Sequence, residues 1–210
     1  MSLTVTVPVK NSEVYVRRVY DENTEVFSSV PVTTPDVTED FSAVVSYNED
    51  LVAWLNIPNI GYLPVCKGID NQFYLTHNEY KEESVSGVPF INTNSTEDVW
   101  LIHGHNMSDG SMFGNLEKYL SEDFFFNNGT LELYSDGFLS LYRPFTIFLY
   151  TENSTYIPYE NSEYSYNYLK ELSLYDVFWD FNLDKPILLL STCVYFEGAD
   201  RMIVGFAAVN

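Results

Sequence analysis

Basic side chains are scarce in this chain: 10 Lys and Arg stand against 30 Asp and Glu in 210 residues, a formal net charge of −20. A protein that grips a phosphate backbone needs clustered Lys and Arg. Here they are scattered from Lys10 to Arg201, which speaks against nucleic acid and, on the same ground, against docking on anionic lipid. Cationic or amine-bearing partners stay open. Cysteine is scarcer still. Cys66 and Cys193 are the only two, too few and too far apart for a disulfide framework, and no CxxC or Cys/His cluster points to zinc or to any other cofactor. No EF-hand loop is present. No run of about 18 apolar residues occurs, so no transmembrane helix is expected. The opening Met1-Ser2-Leu3 has neither a basic flank nor a long apolar stretch and does not read as a signal peptide. The Asn-x-Ser/Thr matches at Asn94, Asn106, Asn128 and Asn153 read as chance in a chain rich in Asn, Ser and Thr.

Apolar material, by contrast, is plentiful: 46% of residues are hydrophobic and 17% aromatic, with 17 Tyr and 15 Phe. That can bury enough surface to offset chain entropy in one domain. The first 45 residues differ from the rest. Val5-Thr6-Val7-Pro8-Val9 and Val30-Pro31-Val32 are β-branched segments interrupted by proline, which reads as an N-terminal arm or linker, partly ordered. A short helix is expected between Asp40 and Leu55. From there the pattern is β-rich. Strands are expected at Val52–Ile57 and Ile60–Val65 across the turn Pro58-Asn59, at Val88–Ile91, and at Val99–His103. Met112–Leu120 carries helical apolar spacing. Thr130–Tyr134 and Leu139–Thr151 flank the turn Ser135-Asp136-Gly137, and Ser162–Leu172 reads as a helix capped by Asn161 or Ser162. Pro186–Thr192 is a continuous apolar run, the mark of a strand buried on both faces. Met202–Val209 forms the last strand. About eight short strands with a few helices predict a mainly β fold, a closed or nearly closed barrel over residues 46–210.

The residues able to do chemistry are few. Cys66 follows Pro64-Val65 at the end of an apolar strand and reads as a small core residue. Cys193 ends the run Leu188–Thr192 and opens a loop with Glu197, Gly198 and Asp200, so its thiol would be both fixed and accessible. Spacing alone leaves nucleophile and inert thiol both open. A thiol nucleophile needs a proton acceptor and a group that stabilises the developing oxyanion. Of the three histidines, His103 closes an apolar strand and His77 lies in a polar stretch, so both read as structural. His105 follows Gly104 on the loop beyond, where a plain and a catalytic role are both open. Arg201 begins the last strand. If the Cys193 and Arg201 segments are neighbours, the guanidinium returns beside the thiol; otherwise it is a surface ion pair.

The ordered set Leu101-Ile102-His103-Gly104-His105-Asn106-Met107, Leu190-Ser191-Thr192-Cys193 and Arg201 resembles the sortases, cysteine transpeptidases of Gram-positive bacteria. It is most similar to class B, since Asp109-Gly110-Ser111-Met112-Phe113-Gly114-Asn115-Leu116, Trp54-Leu55-Asn56-Ile57-Pro58 and Asn71–His77 match that class's pattern too. The resemblance covers residues 45–210 and implies an eight-stranded sortase-like barrel. It implies Cys193 as nucleophile, His105 as general acid/base and Arg201 as oxyanion or substrate-orienting group, with Ser191 and Thr192 lining the substrate pocket. Class B members commonly carry an acidic residue within two positions of the cysteine; Val194 and Tyr195 stand there here.

The implied reaction cleaves a sorting motif of the Leu-Pro-x-Thr-Gly or Asn-Pro-x-Thr-Asn kind after Thr. A thioester forms and passes to an amine of peptidoglycan or a pilin. The implied partners are thus a surface protein bearing that motif and the amine acceptor. The implied location is the extracellular face of the cell membrane, with the anchor outside this stretch. The aromatic-rich segment 154–184, with Tyr156, Tyr159, Tyr164, Tyr166, Tyr168, Tyr175, Phe178 and Trp179, is expected to supply substrate contacts or core packing. Two other functions stay open on the residues alone: a cysteine peptidase releasing peptide to water, and a non-catalytic acidic surface module with an inert Cys193.

Overall fold

A computed structural model of the chain describes residues 48–127, 130–151, 155–160, 162–179, 181 and 184–209. The arm expected over 1–45 and the Asn128 and Asn153 matches lie outside the described residues. Eight strands close into a barrel: β1 (Leu51–Ile57), β2 (Gly61–Cys66), β3 (Phe90–Ile91), β4 (Val99–His103), β5 (Leu131–Ser135), β6 (Phe138–Tyr150), β7 (Ile187–Phe196) and β8 (Ala199–Ala208). Around the barrel their order is β1-β2-β3-β4-β7-β8-β6-β5. Closure leaves no unpaired sheet edge.

Local sequence accounts for most of these elements. In β1 the residues Leu51, Ala53, Leu55 and Ile57 point inward and alternate with half-buried Val52, Trp54 and Asn56, the period of a strand covered on one face. Asp136 (φ 52°) and Gly137 (φ 78°) make the two-residue turn joining β5 to β6, a backbone that favours Asp-Gly. Leu51–Leu55 is strand, so the helix expected over 40–55 is not there in its described part: Leu, Val, Trp and Ile pair across to β2 in register from Leu51↔Cys66 to Ile57↔Gly61. The segment 112–120 coils only from Gly114, as a 3-10 helix to Leu120, followed by a short α-helix, α1 (Glu122–Asn127), that was not anticipated. Helix α2 (Glu163–Glu171) is capped by Ser162, whose Oγ accepts from the Ser165 N–H at 3.1 Å.

β7 lies between β4 and β8, and its first six residues are all buried. Helices cover the barrel's outer face: Tyr119 meets Phe206 edge-on with centroids 5.5 Å apart, and Tyr166 of α2 stacks on Phe145 at 4.8 Å. Thr146 Oγ1 donates to the Leu169 carbonyl at 2.6 Å, pinning α2 to β6. Sheets packed this closely tolerate little side-chain bulk. A Cβ on Gly205 of β8 would crowd Thr146 of β6 and lie 3.0 Å from Leu189 Cδ2 of β7, so the absence of a side chain there makes room for the side chains of both neighbouring strands.

Candidate active site

Two adjacent strand pairings assemble the site. β4 runs parallel to β7 in register from Val99↔Ile187 to His103↔Ser191, and the Gly104 N–H donates to the Ser191 carbonyl at 3.2 Å. β7 runs antiparallel to β8 and places Cys193 opposite Arg201. The conditional expectation for Arg201 is met: its Nη1 donates to Cys193 Sγ at 3.0 Å. Cys193 is a free, half-buried thiol. It lies inside β7 rather than at the mouth of a loop, because Val194, Tyr195 and Phe196 extend the strand to the turn at Glu197-Gly198. Fixation of the thiol therefore comes from the β7–β8 pairing, Cys193 opposite Arg201.

His105 leaves the end of β4 on the loop beside Cys193. Its Nε2–H donates to the Leu75 carbonyl at 2.8 Å. A carbonyl only accepts, so Nε2 carries the proton and Nδ1 is the nitrogen left to take one up. The loop is held from below: the Phe113 N–H donates to the His105 carbonyl at 2.9 Å, and Asn106 bridges to Met112. A Cβ on Gly104 would lie 2.6 Å from the Phe113 ring. That close approach gives a physical reason for glycine before the histidine and for the Met-Phe-Gly run that follows it.

Ser191 and Thr192 lie directly before the nucleophile, 1% and 0% exposed. Thr192 Oγ1 donates to the Gly104 carbonyl at 2.8 Å, and Ser191 Oγ is 3.4 Å from the Tyr150 hydroxyl. The other two histidines sit apart. His103 Nε2 meets Asn92 Nδ2 at 2.9 Å, and His77 stacks on Phe73 with centroids 4.0 Å apart.

Asn106 is the residue that spacing did not single out except as a chance glycosylation match. Its Nδ2 donates to the Cys193 carbonyl and to Glu117 Oε1, both at 2.8 Å. Its position next to His105 was the one available signal; the acceptors come from segments distant in sequence.

Segment 154–184 divides. Tyr166, Tyr175 and Trp179 pack inward: Tyr175 lies 5.2 Å from Phe125, and Trp179 lies 5.5 Å from Phe126 with Arg143 over its ring. Tyr156, Tyr164 and Phe178 face solvent, as does Tyr195 just beyond the nucleophile. A cavity of about 460 Å³ lies at the opposite end of the barrel, where β4 and β7 begin, lined by Lys67, Glu97, Trp100, Asp136 and Lys185 among others. None of Cys193, His105 and Arg201 lines it. Among the described residues no group of three His, Cys, Asp or Glu is arranged to hold a metal ion.

No protein-family model matches the chain. Sortase B of Listeria monocytogenes is 33% identical over 126 residues, covering 56% of this chain and 51% of the relative. Sortase B of Staphylococcus aureus is 28% identical over 102 residues, covering 46% and 41%. The chain thus spans about half the length of the curated relatives it matches or less. Among solved structures, sortase B of Clostridium perfringens has a TM-score of 0.70 at 27% identity, covering 81% of this chain and 100% of that one. A Bacillus anthracis protein described as similar to sortase B has a TM-score of 0.70 at 28% identity, covering 80% and 82%. In sequence and in structure alike, the chain is similar to sortase B proteins.

Proposed function

We propose that the chain is a cysteine transpeptidase acting on a surface protein that bears a sorting motif of the Leu-Pro-x-Thr-Gly or Asn-Pro-x-Thr-Asn kind. The observation that carries this is the contact of Arg201 Nη1 with Cys193 Sγ at 3.0 Å, across a rigid strand pair. Cys193 passes its thiol proton to His105 Nδ1 and its Sγ attacks the Thr carbonyl carbon, forming a C–S bond. As the tetrahedral intermediate collapses, the C–N bond breaks and His105 gives a proton to the leaving amine. The Arg201 fork, already a donor at the sulfur, donates to the carbonyl oxygen while it is negative. An acceptor amine of peptidoglycan or a pilin then attacks the thioester, loses its proton to His105, and releases Cys193. Ser191 and Thr192, buried behind the nucleophile, brace its strand rather than touch the peptide, and backbone N–H groups near Cys193 share in holding the oxyanion.

The chain's shortage of Lys and Arg favours shape and apolar contact over ion pairing in holding the peptide. Exposed Tyr156, Tyr164 and Phe178 suit that role. A net charge of −20 attracts an incoming amine. The setting that fits is the outer face of the cell membrane. No helix among the described residues is long and apolar enough to cross a membrane.

The test is to incubate the protein with a panel of sorting peptides, with and without triglycine, and follow the products by mass spectrometry. The expected result is a peptide-sized adduct on Cys193 and a triglycine-joined product. Hydrolysed peptide alone, at an unchanged rate with triglycine, would instead identify a peptidase.

A further inference from the structure

The parallel ladder between β4 and β7 runs out just where the chemistry begins. Its last main-chain bond is from the Gly104 N–H to the Ser191 carbonyl at 3.2 Å. Two residues on, a continued ladder would take the residue 106 N–H to the Cys193 carbonyl. The backbone of residue 106 instead turns to bridge Met112. The Asn106 side chain stands in its place, with Nδ2 donating to the Cys193 carbonyl at 2.8 Å. On the other flank the β7–β8 register is irregular between Cys193 and Phe196. Strand pairing thus weakens on both sides of the nucleophile at the same level.

Asn106 is itself held. The second N–H of its amide goes to Glu117 Oε1 at 2.8 Å, from the 3-10 helix Gly114–Leu120. Both amide hydrogens have acceptors that cannot donate, so turning the amide over would lose two hydrogen bonds, one of them to a carboxylate. The link is local on one side, since Asn106 directly follows His105, and spans 87 residues on the other.

We infer that Asn106, oriented by Glu117, is a positioning residue that sets the Cys193 main chain against the His105 loop, so that thiol and imidazole are held in reacting register. The inference deepens the proposed transpeptidase and rests on it for the roles of Cys193 and His105. A shift of about 1 Å in a reacting group can cost about 100-fold in rate.

The full chain and its Asn106→Ala, Glu117→Ala and Glu117→Gln variants would be compared in peptide transfer to triglycine, in Cys193 alkylation by iodoacetamide at fixed pH, and in thermal midpoint. Asn106→Ala should lower kcat about 100-fold with KM within about twofold, and slow Cys193 alkylation about tenfold. Glu117→Ala should lower kcat about tenfold. Glu117→Gln, whose amide oxygen accepts the same bond, should recover to within about threefold of the unsubstituted protein. Unchanged kcat and alkylation in Asn106→Ala would overturn the inference, as would losses that merely follow the unfolded fraction. Equal damage from Glu117→Gln and Glu117→Ala would overturn the part given to Glu117. If the unsubstituted protein transfers no peptide, the transpeptidase reading fails, and the alkylation rates alone decide the positioning role.

Discussion

Cys66 and Cys193 both sit on strands of one barrel, and their surroundings make them chemically unlike. Cys66 closes β2 with no exposure. Burial, more than any neighbour, pushes its thiol up to about 12. Around it lies a polar nest that serves only structure. Asn48 Nδ2 donates to the Tyr74 hydroxyl at 3.0 Å and to the Glu79 carbonyl at 2.8 Å, Tyr74 donates to Asp50 Oδ2 at 2.7 Å, and Lys81 pairs with Asp50 at 3.0 Å. Cys193 is half-buried, faces a guanidinium, and lies beside a histidine loop. The same side chain is a core filler where burial outweighs every neighbouring charge, and a candidate nucleophile where a guanidinium donates to a half-buried sulfur.

The largest effect that would sharpen this contrast is at Cys193 itself. Cys193→Ala should cut peptide transfer at least about 10³-fold with an unchanged thermal midpoint, whereas Cys66→Ala should retain activity within about threefold. Activity surviving in Cys193→Ala would break the comparison outright. Arg201→Lys should cost about 10²-fold in kcat/KM, because an ammonium lacks the planar fork that can serve sulfur and carbonyl oxygen in turn. Near-full activity in that variant would leave Arg201 as a strand-pair residue only. Third, iodoacetamide at pH 8 should modify Cys193 at least about 100 times faster than Cys66 in the folded protein, a ratio read directly by peptide mapping; comparable rates would mean that the barrel does not shield Cys66.

A smaller effect concerns alkaline stability. With its folded value raised from 9.0 to about 12, the Cys66 thiol stays protonated in the native state while the unfolded chain loses that proton above about pH 9. The unfolded state then binds fewer protons. The Cys66 contribution is full below about pH 9 and is lost as pH rises toward 12, at up to about 1.4 kcal/mol per pH unit. Denaturant titrations between pH 9 and 11 should show a steeper loss for the unsubstituted protein than for Cys66→Ala, and parallel curves would contradict this account of Cys66.

Barrel strands were legible where local rules suffice. β4 matches its expected span because Val99–His103 is an unbroken apolar run ended by glycine, and β5–β6 because Asp136-Gly137 dictates its turn. Elements defined by partners were misread. Phe124-Phe125-Phe126 hides helical period in α1, since three consecutive aromatics show no face until Tyr119, Tyr175 and Trp179 pack on them. β7 was cut short at Cys193, although Val194–Phe196 are strand formers, because Glu197-Gly198 already announces a loop.

The two scarce classes, cysteine and arginine, together with the ordered His105 and Cys193 segments, are properties of sequence, and they sufficed to mark the fold and the three catalytic candidates. Their order along the chain carries that information without reference to any contact. The 3.0 Å approach of Arg201 to Cys193, the protonated Nε2 of His105 against Leu75, and the Glu117–Asn106–Cys193 link came only with the tertiary structure. Each depends on which strands neighbour one another in the closed barrel. That choice is made by pairing and core packing between segments as much as 88 residues apart, which no local pattern encodes.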